Sequence, residues 1–116
     1  GNGGGLPADL EAFAVRIAGE ALDRIGEFST QGVSNIAWAL ATMELTWHGT
    51  ARGFILAAAA AWTPRLDRVQ PQAISNFCWA LSRLEDAEDA LALFGDAARV
   101  QVEARPRDFS WQDLSG

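Results

Sequence analysis

The sequence predicts an all-α fold, an α-α hairpin repeat solenoid of period 40–41 with about two and a half repeats. Three observations carry the prediction. The chain of 116 residues is half apolar (49%) and holds 22 alanines; alanine favours helix and disfavours strand. A segment recurs at fixed spacing: Phe28-Ser29-Thr30-Gln31-Gly32-Val33-Ser34-Asn35-Ile36-Ala37-Trp38-Ala39-Leu40 returns 41 residues later as Val69-Gln70-Pro71-Gln72-Ala73-Ile74-Ser75-Asn76-Phe77-Cys78-Trp79-Ala80-Leu81. A third copy begins at Phe109-Ser110-Trp111-Gln112-Asp113-Leu114-Ser115, offset by 40 from the second. Such periodicity marks stacked units that cannot bury their apolar faces alone.

Between the copies lie alanine-rich segments, Leu6 to Gly26, Ala51 to Leu66 and Asp86 to Ala104, sharing one arginine in register: Arg24, Arg65 and Arg105. Each unit is therefore two helices, an Asn/Trp helix A and an alanine-rich helix B. Residues 1–5 read as a flexible linker or truncation end. Residues 6–116 form one array: a first helix over 6–26, units over 28–68 and 69–108, and an incomplete unit over 109–116.

The elements follow in order from their end signals. Asp9 and Glu11 open the first B helix, where carboxylates complement the helix dipole. Ser29, Gln70 and Ser110 stand where helix A is capped, with Pro71 at the first helical position. Trp47-His48-Gly49-Thr50 is a turn, with Thr50 as the cap of the next helix. Pro64 kinks or ends the last turn of the second B helix, Glu88 and Asp89 open the third, and Pro106 follows its end.

Charge and special residues exclude most chemistries. Fifteen acids against nine basic residues, all arginine, give a net charge of −6, whereas phosphate binding draws on a cationic surplus. One cysteine, Cys78, permits no internal disulfide and reads as a small core residue. The longest apolar run, Gly53 to Trp62, is about half of the roughly 20 residues that span a bilayer, so no membrane insertion is expected. His48, the single histidine, lacks the partners of a catalytic dyad or metal site and reads as a solvated turn residue. Glu85-Asp86-Glu88-Asp89 lacks the spacing of a calcium loop. No enzyme, cofactor, metal or small-molecule substrate is expected.

The candidate ligand face lies on helix A. At the helical period, Gln31, Ser34 and Thr42 share one side, repeated by Gln72, Ser75 and Arg83. Val33, Ile36, Ala37 and Leu40, like Ile74, Phe77, Cys78 and Leu81, form the core side. Trp38 and Trp79 fall within the polar stripe and allow two roles: stacking on a ligand, or packing between repeats, the role that burial of so apolar a helix favours. Asn35 and Asn76 are assigned to inter-repeat structure, bonding backbone at the seam. Arg24, Arg65 and Arg105 are candidate contacts to phosphate or to an acidic partner.

The motif Gln-x-x-Ser-Asn-x-x-Trp-Ala-Leu, with Asn35 before Ile36-Ala37-Trp38-Ala39-Leu40-Ala41 and Asn76 before Phe77-Cys78-Trp79-Ala80-Leu81-Ser82, resembles the octotricopeptide repeat and its relatives in proteins that carry a RAP domain. The resemblance covers residues 28–116 and the first helix loosely. It implies a nuclear-encoded protein of an algal or protist organelle, chloroplast or mitochondrion, that binds single-stranded RNA to stabilise, process or help translate it. The alternative is a protein-protein scaffold, an accessory subunit of a large organellar complex such as a photosynthetic or ribosomal assembly. The two separate on charge: arginines forming one face with the helix A stripe favour RNA, and acids interleaved among them favour protein.

Overall fold

The computed structural model describes residues 8–109. Five α-helices account for most of them: α1 Ala8–Asp23, α2 Thr30–Thr42, α3 Gly49–Trp62, α4 Pro71–Ser82 and α5 Glu88–Ala104. Short 3-10 turns over Ile25–Glu27, Thr63–Arg68 and Pro106–Asp108 follow α1, α3 and α5. No strand occurs among the described residues. The linker at 1–5 and nearly all of the incomplete unit at 109–116, including its Ser110 cap, lie outside the described residues.

The helices form two rows. The A-type helices α2 and α4 pack along each other, and α1 packs along α3 on the other side, with α5 set against the 63–68 turn and α4. Small residues let α1 and α3 approach closely. Ala18, Ala21, Ala51, Ala58 and Ala59 are buried, and a side-chain carbon added at Gly19 would lie 3.5 Å from Thr50 Cγ2. Between the rows runs an aromatic ladder: Trp62 lies 4.9 Å from Phe77, centroid to centroid, and Phe77 lies 5.2 Å from Phe94. Phe54, Phe77 and Phe94 are fully buried, each burial contributing on the order of 2–3 kcal/mol.

Equivalent helix ends use different chemistry. The Ser29 side chain accepts from the Gly32 N–H at 3.0 Å, capping α2. A side chain at position 32 would come 3.2 Å from Ser29 Oγ, and the second copy, which has Ala73 there, has no side-chain cap bond at Gln70 but begins with Pro71. The cap of α3 is His48, not Thr50: His48 Nδ1 accepts from the Thr50 N–H at 3.2 Å. His48 is accordingly half-buried rather than fully solvated. The three register-matched arginines share one backbone conformation where a B helix ends, with φ −127° and ψ 37° at Arg24, φ −139° and ψ 31° at Arg65, and φ −139° and ψ 64° at Arg105.

Candidate functional face

The outer sides of α2 and α4 present the same four-residue stripe. In α2 it runs Gln31, Asn35, Trp38, Thr42; in α4 it runs Gln72, Asn76, Trp79, Arg83, the last at the C-cap. Steps of four, three and four residues keep these side chains on one face. Gln31 Nε2 donates to Asn35 Oδ1 at 2.9 Å and Gln72 Nε2 donates to Asn76 Oδ1 at 3.2 Å, so each helix holds a preformed amide pair. Trp38 and Trp79 are 48% and 38% exposed, large for indoles in an amphipathic helix. The Arg83 guanidinium lies 5.9 Å from the Trp79 ring centre, within cation-π range.

Neither α2 nor α4 contains a carboxylate. The acids occupy α1, α5 and the turns between helices. The A-type helices are thus uncharged along their length, while α1 and α5 each carry an excess of acids.

Several site expectations need correction. Ser34, expected on the ligand face, is fully buried in the α2/α4 seam, where its hydroxyl donates to the Ala73 carbonyl at 3.3 Å. Its side chain is short enough to fit where two helices touch, and its hydroxyl finds the partner burial demands. Ser75, its equivalent, is half-buried. Asn35 and Asn76, expected to bond backbone at the seam, instead pair with glutamine amides on the outer face. The tryptophans, for which packing between repeats was the favoured role, keep a large part of their surface in solvent because the seam is closed by Ser34, Ala37 and Ala73.

The candidate phosphate-contacting arginines sit at the opposite end of the A helices from Arg83. Arg24 and Arg65 are exposed. Arg105 is half-buried and structurally engaged: its Nη2 donates to the carbonyls of Leu66 and Val69 at 2.9 and 2.8 Å, and its Nε donates to Gln101 at 3.0 Å. Asp23, Glu27, Asp67 and Asp108 lie within three residues of these arginines in the chain. At the other end, Arg83, Arg52 and Trp47 line an open cleft of about 390 Å³ together with Glu44, Glu85 and Asp86. Both ends are mixed in charge; the middle of the A face is neutral.

Arg52 lies in no motif or repeat register of the sequence, yet it holds a later turn. Its guanidinium donates to the Glu85 and Asp86 carbonyls, stitching α3 to the turn of the following hairpin. Thr46 Oγ1 donates to the Arg83 carbonyl at 3.4 Å beside it. Burial pushes the Cys78 thiol above its ordinary pKa, which suppresses the thiolate form. No group of three His, Cys, Asp or Glu side chains suited to a metal ion occurs among the described residues, and no described helix is long and apolar enough to cross a membrane. Compared with protein-family models, with curated proteins and with solved structures, the chain matches none.

Proposed function

We propose that the chain is a non-catalytic helical-repeat binding module, an α-α hairpin solenoid of period 40–41, whose α2/α4 face binds single-stranded RNA. One observation carries the reading: in a protein with net charge −6, the helices α2 and α4, which bear two half-exposed tryptophans and two amide pairs, hold no carboxylate. Indoles stack on unpaired bases irrespective of identity, and amides read base edges by hydrogen bonds. The resemblance to octotricopeptide repeats points the same way, toward stabilisation, processing or translation of an organellar transcript in a chloroplast or mitochondrion.

A second reading has its own support. Acids interleave with the arginines at both ends of the face, and Arg83 is the one cation on the stripe itself. A neutral patch with tryptophan and arginine anchors matches the composition of protein-protein hot spots. Under that reading the protein is a scaffold or accessory subunit of a larger assembly.

Fluorescence anisotropy with a mixed single-stranded RNA pool separates the two. The RNA reading expects binding at low salt that weakens as salt rises. It also expects Trp38→Ala with Trp79→Ala to cost about 1–3 kcal/mol of binding for each stacked base lost, with the helical circular-dichroism spectrum retained. Absence of RNA binding at low salt overturns it and leaves the protein partner.

A further inference from the structure

A second apolar surface lies on the other row, at the outer side of α1. Leu10 is 41% exposed and Phe13 60% exposed, with Ile17 half-buried on the same side one turn further on. Spacings of three and four residues place them in one stripe, and no described element covers it. Their register identifies what does so elsewhere. Stepping 41 residues takes Leu10, Phe13 and Ile17 to Ala51, Phe54 and Ala58, all fully buried in α3. A further 40 takes Phe54 to Phe94, fully buried in α5. The same steps join Arg24, Arg65 and Arg105, so phenylalanine recurs at one register in all three B helices. Phe94 is covered by Phe77, a residue of α4, the A-type helix that precedes α5 in the chain. Helix α3 likewise packs against α2, which precedes it. Of the three phenylalanines, Phe13 is the one with no A-type helix before it among the described residues.

We infer that the outer face of α1 is a docking site for an amphipathic helix of the A type. The occupant offers a branched or aromatic residue at the position of Phe77 (Ile36 in α2) to the Phe13 ring, and keeps its glutamine, asparagine and tryptophan stripe in line with those of α2 and α4. The site extends the established packing of A on B helices by one step, and it is independent of whether the A face takes RNA or protein.

The test uses a fluorescent peptide of residues 69–84 and the 116-residue chain. The peptide should bind saturably, Phe13→Asp should weaken it by about tenfold or more, and Leu93→Asp, on an exposed part of α5, should leave it unchanged. Because an isolated helix of this length is marginal in water, the same segment is also joined ahead of Gly1 through a glycine-serine linker. A rise in Tm that Phe13→Asp abolishes supports the site even if the free peptide binds weakly. Three results overturn it: equal peptide binding to the Phe13→Asp variant, no Tm gain in the fused chain, or self-association of the unfused chain lost with Phe13→Asp while the fused segment adds nothing.

Discussion

The turn joining α2 to α3 and the turn joining α4 to α5 follow helices of similar sequence, 41 residues apart, yet hold themselves differently. The first, residues 43–48, closes α2 with its own backbone: Leu45 N–H donates to the Leu40 carbonyl and Glu44 N–H to the Ala41 carbonyl, at 2.9 and 3.0 Å, with Glu44 in the left-handed region at φ 59°. This is a Schellman closure, sealed by buried Leu40 and Leu45, and His48 then caps α3. The second, residues 83–87, is one residue shorter and has neither device. Arg83 and Leu84 make three-residue backbone bonds, and α5 starts at Ala87 without a side-chain cap. Its carbonyls are held from outside, by Arg52 and Thr46 of the preceding hairpin. The missing residue also shortens the step from α3 to α5, which is 40 residues from Phe54 to Phe94 against 41 from Phe13 to Phe54. Two helices of similar sequence can thus end in turns that differ in whether they support themselves or lean on a neighbour.

The comparison can be broken most sharply at the other end of the helices. Arg65 and Arg105 share a backbone conformation, but only Arg105 is half-buried and holds two carbonyls, that of Leu66 in the preceding unit and that of Val69 in its own. Arg105→Ala should cost about 2–3 kcal/mol in urea unfolding, the scale of charged hydrogen bonds with buried partners. Arg65→Ala should lie within about 0.5 kcal/mol of the parent. Equal effects would show that the units do not lean on each other there.

Arg52→Ala comes next, at about 1–2 kcal/mol because the site is partly solvated. Amide hydrogen exchange should accelerate at residues 84–91 and leave residues 40–48 protected; acceleration in both turns would show that the first also depends on Arg52. The smallest effect is a gain. Glu44→Gly removes the left-handed penalty of a residue with a side chain and should raise stability by about 1 kcal/mol. The same change at Asp86, φ 52°, tests whether the shorter turn carries comparable strain.

Much of this architecture is legible from the chain. The 41-residue return of Gln-x-x-Ser-Asn-x-x-Trp-Ala-Leu places α2 and α4, and Ser29, Pro64, Pro71 and Pro106 mark helix boundaries seen in the fold. The side-chain assignments within helix A are less legible. A helical wheel sets Ser34 and Trp38 close together in angle, yet one is sealed in a seam and the other stands in solvent. The wheel knows one helix, and the seam is made by two. His48 as a cap was hidden because histidine is an uncommon N-cap beside a nearby threonine. The support from Arg52 and Arg105 joins residues 33 to 39 positions apart, and no local pattern announces it. The recurrence of Phe13, Phe54 and Phe94, by contrast, was available in the spacing alone.

The buried Ser34 hydroxyl, bonded to the Ala73 carbonyl across the seam, has a consequence for metre. Apolar ridges tolerate small slides of one helix along another, but a hydroxyl sealed from water loses its partner across the seam if α4 shifts. That bond pins the two A helices lengthwise, and with them the step from one indole to the next. The protein therefore carries a ruled interval between its exposed indoles, set by a residue that solvent never reaches.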